Sequence, residues 1–229
     1  MIKLIKDLAS PWRAYVAEFL GTFVFVVVSS GTVLTNVFYG DVGIFGIALA
    51  TGLSLAVMIY ATLPISGGHL NPAVTLALWL AQKIGGGVAF FYILAQVLAS
   101  LAAAKFLLII YGQRAVEFSL GAPKIGVSIQ TALVIEVILT AVLVFAVFAT
   151  LVDRRGQAAF GPLVVGLVVV VATLMAGPLS GAVLNPARVF GPLIVSNSYD
   201  SLAVWVVGPA AAGLFGIVYE FLFLRKFKK

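Results

Sequence analysis

Ser66-Gly67-Gly68-His69-Leu70-Asn71-Pro72-Ala73 and Ser180-Gly181-Ala182-Val183-Leu184-Asn185-Pro186-Ala187 share the pattern S-G-x-x-L-N-P-A. Asn is a strong N-cap, and Pro is favoured at the first helical position because its missing N–H would be unpaired there anyway. Each copy therefore reads as a helix start behind a glycine-bearing loop. The apolar stretches that follow, 72–81 and 186–195, are too short to cross a bilayer. About ten residues at ~1.5 Å rise reach ~15 Å, roughly half of a ~30 Å hydrocarbon core. Irregular backbone at membrane depth is tolerated only where protein buries it or water wets it. Two half-membrane helices meeting at the midplane build a pore or a binding site.

The surrounding sequence supplies the membrane. Of 229 residues, 62% are hydrophobic and 10% charged, with mean hydropathy +1.18; a soluble domain carries about a quarter charged residues. Apolar runs predict six spans near 13–38, 42–62, 85–110, 129–151, 160–176 and 201–224, each near the ~20 residues a crossing helix needs. Spans and half-spans use most of the chain, so a single integral membrane domain over 1–229 is expected, with no room for a soluble module. The run from Ala14 to Val28 continues past Ser29-Ser30 towards Phe38, which reads as a first transmembrane helix rather than a signal peptide. Cysteine is absent, which excludes disulfides, thiol nucleophiles and thiolate metal sites and predicts resistance to mercurials. The net charge of +6 sits in loops and ends, without a basic stripe interleaved with aromatics, so nucleic acid is not an expected partner.

The two halves repeat. Asn185 follows Asn71 by 114 residues, and Glu136 follows Glu18 by 118. Ala17-Glu18-Phe19-Leu20-Gly21-Thr22 echoes Ile135-Glu136-Val137-Ile138-Leu139-Thr140. Each half holds three spans, an odd number, so the second half inserts upside down relative to the first. The repeats run over about 13–110 and 129–224, with the polar stretch 111–128 as linker. With the N-terminus inside, Lys3, Lys6, Arg13, Lys83, Arg154, Arg155, Arg225, Lys226, Lys228 and Lys229 fall on one side; Arg114 and Lys124 fall on the other. Lys105 and Arg188 lie within membrane segments. This bias predicts cytoplasmic termini.

An Asn that caps a helix uses its side-chain oxygen on a backbone N–H and keeps its NH₂ as a donor. Asn71 and Asn185 would thus offer donors to a small molecule at the midplane. Two facing helix N-termini, each with about half a positive charge, repel cations and fix the orientation of a water between them. That arrangement passes a neutral solute without relaying protons.

These features resemble the aquaporin family, the major intrinsic proteins. Ser66-Gly67-Gly68-His69-Leu70-Asn71-Pro72-Ala73-Val74-Thr75, Asn185-Pro186-Ala187-Arg188-Val189-Phe190-Gly191-Pro192 and Ala17-Glu18-Phe19-Leu20-Gly21-Thr22 carry the resemblance, which covers nearly the whole chain. It implies an all-α membrane protein of six tilted transmembrane helices and two re-entrant half-helices in an inverted repeat. It also implies one pore per protomer, a homotetramer, no cofactor and no enzymatic activity. Arg188 is implied as the cationic wall of an outer constriction, joined by Thr51, Thr173 and Ala182. No aromatic residue or histidine stands at those positions, a departure from the commonest family patterns that implies a wider, more polar opening. Carbonyls of Gly67, Gly68, His69, Gly181, Ala182 and Val183 are expected to form an acceptor ladder. His69, the sole histidine, reads equally as a loop residue and as a lining residue of the inner pore mouth.

Glu18 and Glu136 are intramembrane carboxylates, which mark function by default. One reading makes them proton carriers of a coupled transporter. Their symmetric placement favours the other, in which each accepts backbone N–H groups of the unwound segment in its own half. Val189 and Leu193 follow neither the water-channel nor the glycerol-channel pattern. Trp12, Trp79 and Trp205 read as interfacial anchors. The expected function is passive passage of water, with glycerol, urea or ammonia as further solutes, across the cell membrane; the alternative is a wide-pore facilitator for glycerol or another neutral metabolite.

Overall fold

The computed structural model describes residues 11–224. Lys3, Lys6, Arg225, Lys226, Lys228 and Lys229, which contribute to the charge bias, lie outside the described residues. Helices α1 (Pro11–Tyr39), α2 (Gly43–Ser66), α4 (Gly86–Tyr111), α5 (Ile129–Val147, prolonged by a π-helical turn Phe148–Val152) and α6 (Gly161–Ser180) are five of the six apolar spans. The sixth, Leu202–Leu224, is built from α8 (Leu202–Ala212), α9 (Phe215–Tyr219) and a terminal π-helical turn. Between the spans lie the short helices α3 (Pro72–Leu80) and α7 (Pro186–Ser196). Together, their 9 and 11 residues amount to about 30 Å of helix, one membrane thickness shared between two elements.

Both halves are entered through the same backbone device. Spans α2 and α6 run beyond their predicted ends at 62 and 176, through Pro64 and Pro178, to Ser66 and Ser180. A proline removes one helical hydrogen bond, and a packed transmembrane helix absorbs that loss. Gly67 and Gly181 then stop the helices in the left-handed region, at φ 92° and 93°, and donate their N–H groups back to Leu63 O and Gly177 O. This is the αL termination that glycine permits without a Cβ clash.

The halves meet back to back at Gly52 on α2 and Gly166 on α6, again 114 residues apart. A Cβ on Gly52 would collide with Gly166 O, and one on Gly166 with Gly52 O. Small residues let helix backbones touch where lipid offers no hydrophobic drive for association. The half-helices are clamped in the same way: Gly191 of α7 lies against Ser100 O of α4, and Gly216 of α9 against Ala77 O of α3.

The linker stretch 111–128 carries tight turns spanning Gln113–Gly121. It buries Ala115, Leu120 and Ala122 and packs Gly121 against Ser30 O. Trp205 is no interfacial anchor, being only 1% exposed. Its polar edge serves the second loop, as described below. Trp12 and Trp79 are 58% and 44% exposed at helix ends, as such anchors require.

Candidate functional site

Each unwound loop is held open by one carboxylate with no exposed surface. Glu18 Oε1 accepts from Ser66 Oγ (2.7 Å) and His69 N (2.9 Å); Oε2 accepts from Leu70 N (2.7 Å) and Gln96 Nε2 (2.8 Å). Glu136 repeats the scheme: Oε1 accepts from Ser180 Oγ (2.8 Å) and Val183 N (3.0 Å), and Oε2 from Leu184 N (3.0 Å). Backbone N–H groups that no helix satisfies must find partners at membrane depth; a carboxylate accepting several at once meets that need. A second peg holds each loop from the other side. Tyr92 Oη donates to Ser66 O and Trp205 Nε1 to Ser180 O, both at 2.7 Å. Tyr92 and Gln96 escaped the sequence reading, and Trp205 was given another role in it. The 113-residue offset between Tyr92 and Trp205 matches the repeat, but the residue types differ, so no motif marks the pair.

Asn71 and Asn185 are N-caps. Their Oδ1 atoms accept from Ala73 N (2.8 Å) and Ala187 N (3.0 Å). Their amides are not wholly free, as the capping argument implied. Asn71 Nδ2 donates to Leu184 O (3.0 Å), and Asn185 Nδ2 donates to Leu70 O (2.8 Å). One hydrogen of each amide thus ties its half to the other, and the second remains available. The exchange fixes the N-termini of α3 and α7 next to each other, with Pro72, Ala73, Pro186 and Ala187 buried behind the caps.

On the side that the charge bias predicts to face outward, Arg188 is buried on the first turn of α7. Its Nη1 donates to Gly181 O (3.2 Å) and Ala182 O (3.1 Å), while Nε has no partner. Thr51 and Thr173 are also buried with unpartnered hydroxyls. Thr173, Gly181 and Arg188 line an outward cavity of about 310 Å³ together with Lys124. Ala182 holds a left-handed φ of 44°, uncommon for a residue with a Cβ. Its partner in the repeat, Gly68, adopts φ 61°.

On the side predicted to face inward, Gly67, Gly68, His69 and Asn71 line a narrow cavity of about 80 Å³ whose opposite wall is aliphatic, including Leu55, Ile59, Val74, Leu143, Val147 and Val165. Lys83 stands at its mouth and pairs with Glu220 at 2.6 Å. Behind the cavity, His69 Nδ1 lies 3.1 Å from Thr75 Oγ1, which accepts from Gln96 Nε2 at 3.0 Å. Phe25 of α1 is packed in the core and does not line this cavity.

Comparison with known proteins agrees with this geometry. A family model described as "Major intrinsic protein" matches residues 5–219. Aquaporin TIP4-4 of Zea mays is 42% identical over 224 residues, covering 93% of this chain and 88% of its own. A probable aquaporin TIP3-2 of Arabidopsis thaliana is 37% identical over 227 residues, covering 93% and 84%. Among solved structures, the aquaglyceroporin from Plasmodium falciparum superposes with a TM-score of 0.81 at 25% identity, covering 94% of this chain and 97% of that one.

Proposed function

The chain belongs to the major intrinsic protein family, and from that premise we propose that its water and small-solute pathway runs between the outer and inner cavities, past the crossed Asn71 and Asn185 amides. It is a multi-pass membrane channel and not an enzyme. The observation that carries the pathway is the exchange of amide hydrogens across the midplane. It leaves one Asn N–H from each half as a donor at a point where two helix N-termini converge.

In this reading Arg188, Thr51, Thr173 and Ala182 form the outer filter. The three unpartnered polar atoms there, Thr51 Oγ1, Thr173 Oγ1 and Arg188 Nε, are the groups a solute would satisfy as it sheds water. Carbonyls of Gly67, Gly68, His69 and Val183 serve as acceptors along the path. Those of Gly181 and Ala182 divide their lone pairs between Arg188 and solute. Cations are repelled by Arg188 and by the two helix dipoles. The reading of Glu18 and Glu136 as proton carriers is not favoured, because loop N–H groups and side-chain donors already occupy both carboxylates.

The whole chain acts as one channel domain, repeats 13–110 and 129–224 being joined by 111–128. Family resemblance supports a homotetramer; we place the channel in the cell membrane, and the charge bias supports both termini in the cytoplasm. Stopped-flow light scattering on proteoliposomes tests the function: osmotic shrinkage faster than in protein-free vesicles is expected, and glycerol re-swelling on the same vesicles measures how far the threonine filter admits larger solutes. Vesicles that shrink no faster than controls would overturn it. Asn185→Asp replaces a donor by an acceptor-only anion and is expected to admit cations, read as current in planar bilayers.

A further inference from the structure

The first half of the molecule holds a buried polar chain that the second half lacks. Gln96 Nε2 reaches both Glu18 Oε2 (2.8 Å) and Thr75 Oγ1 (3.0 Å), and Thr75 Oγ1 in turn lies 3.1 Å from His69 Nδ1. Under the 114-residue offset, Thr75 corresponds to Val189 and His69 to Val183. The second loop nevertheless takes the same shape, with its carboxylate bonded to the same two loop N–H positions. Folding of the loop therefore does not require the Gln96–Thr75–His69 chain.

Every proton in that chain has an assignable direction. The Glu18 carboxylate only accepts, so the nitrogen of Gln96 faces it and Oε1 points away, where it has no partner. The second hydrogen of the same NH₂ goes to Thr75 Oγ1. Thr75 has then to place its own hydroxyl proton. Other threonines in the spans, such as Thr32 and Thr62, donate to the carbonyl four residues back. Thr75 makes no such bond among the described residues; its hydroxyl is placed only against Gln96 and His69. The remaining acceptor within reach is His69 Nδ1. An Nδ1 that accepts belongs to an imidazole whose proton is on Nε2. That nitrogen has no protein partner among the described residues, and His69 lines the inner cavity. Glu18 reaches His69 only through the backbone N–H, and Tyr92, edge-on to the imidazole at 4.9 Å, spends its hydroxyl on Ser66 O. Neither competes for the ring nitrogens.

We propose that Gln96 and Thr75 are positioning residues that lock His69 in the Nε2–H form, so that its ring presents a single fixed donor to solute in the inner half of the pore. Between Lys83 at the mouth, paired with Glu220, and Asn71 at the inner end, the wall is otherwise aliphatic side chains and the Gly67–Gly68 loop, which offers no side-chain donor. A passing oxygen finds there a donor before it reaches the asparagines. The solute contact rests on the channel reading above; the tautomer does not.

Because the chain has one histidine, ring-¹⁵N labelling gives one pair of imidazole signals for the whole protein in liposomes. The wild type is expected to show a protonated Nε2 and an unprotonated Nδ1. Thr75→Val keeps the side-chain shape and removes the donor; the two tautomers are then expected to exchange, and Thr75→Ser to restore the locked form. Water permeability per channel is expected to fall about two- to tenfold in Thr75→Val, the range of one neutral hydrogen bond. A proton on Nδ1 in the wild type overturns the proposal, as does a Thr75→Val spectrum identical to wild type. Altered nitrogen signals with unchanged permeability would remove the solute contact. Gln96→Leu, which frees Thr75 to accept from the ring, provides the same spectroscopic test if Thr75→Val does not fold. A protein that shows the locked tautomer but passes no water contradicts the proposed function instead.

Discussion

The two halves of this molecule share a frame and differ in what they place on it. Ser66 and Ser180, Gly67 and Gly181, Asn71 and Asn185, and Gly52 and Gly166 coincide under one 114-residue offset. The same offset pairs Thr173 with Ile59, Thr51 with Val165, Arg188 with Val74 and Ala182 with Gly68. Ile59, Val165, Val74 and Gly68 all line the inner cavity. The inner half thus carries an apolar image of the outer filter, and in place of its polar side chains it has His69 and the chain behind it. The shared positions are those that satisfy or cap backbone in a medium without water, which any re-entrant loop needs. On the proposed pathway, the exchanged positions are the ones that would meet the solute.

The largest effects belong to the shared frame. Glu18→Ala leaves four donors without an acceptor and Glu136→Ala leaves three. Each orphaned buried donor costs about 1–3 kcal/mol. Both variants are expected to lose most of their folded yield in detergent, Glu18→Ala the more severely. Equal losses would show that Gln96 adds nothing to the first half and would weaken its assignment as a tie between carboxylate and threonine.

Next in size is the seam between the halves. Gly52→Ala and Gly166→Ala each drive a methyl into the opposing carbonyl. Overpacking of this kind costs about 1–3 kcal/mol, read as a lowered Tm by thermal unfolding of the purified protein. The two values should agree, because the contact is reciprocal. Gly87, in the first turn of α4, beside which a Cβ meets nothing within 4 Å, provides the control, and Gly87→Ala should not lower Tm.

Smaller still is the exchange of filter chemistry. Thr173→Val keeps shape and deletes an unpartnered hydroxyl from the outer constriction; glycerol flux should drop about two- to tenfold, one hydrogen bond's worth. Ile59→Thr, its image in the repeat, places a hydroxyl on the apolar inner wall. If the two ends act alike, Ile59→Thr reverses the loss in the double variant. If the inner wall must stay dry, it adds to the loss. The sign of that coupling, measured by glycerol re-swelling, decides whether the halves differ in role or only in residue.

The frame was legible in the sequence because it is written in residues with one job each: Asn before Pro caps a helix, Gly permits a left-handed turn, and a lone Glu in an apolar span must be paid for by donors. The ends of α2 and α6 were missed because Pro64 and Pro178 signal a break in water, whereas packed membrane helices run through them. Trp205 was misplaced because a tryptophan near a helix end suits both an interface and a buried donor, and only its neighbour Ser180 O distinguishes them. The Gln96–Thr75–His69 chain was illegible for a different reason: its members lie on three elements, and no spacing along the chain announces them. The crossed Asn amides are of the same kind, since each partner carbonyl lies more than 110 residues away.

The last and smallest contrast lies in the loops that close the first span of each half. After α1, the chain turns at Gly40, and Asn36 Oδ1 accepts from Gly43 N; Asp41 makes no ion pair among the described residues. After α5, Asp153 accepts from Arg155 through the guanidinium (Nε, 3.0 Å) and the backbone N–H (2.9 Å), while Arg155 Nη2 also reaches Phe223 O. The side-chain hydrogen bond from Arg155, then its backbone N–H, holds the Asp153 carboxyl down to about 2. A carboxyl lowered in the folded state stabilises it fully above the unfolded value near 3.8, and that contribution fades as pH falls through about 2. Tm should therefore fall between pH 4 and pH 2 by more in the wild type than in Arg155→Gln, whose Asp153 is left with the backbone donor alone. The guanidinium is largely exposed, so solvent screening keeps the difference small. It should shrink further in 1 M salt, where exposed charges are screened within about 3 Å. Asp153→Asn removes the carboxyl altogether and should flatten the acid profile at least as far as Arg155→Gln does; a profile unchanged from wild type would mean that acid acts on the whole bundle and not on the Asp153 loop.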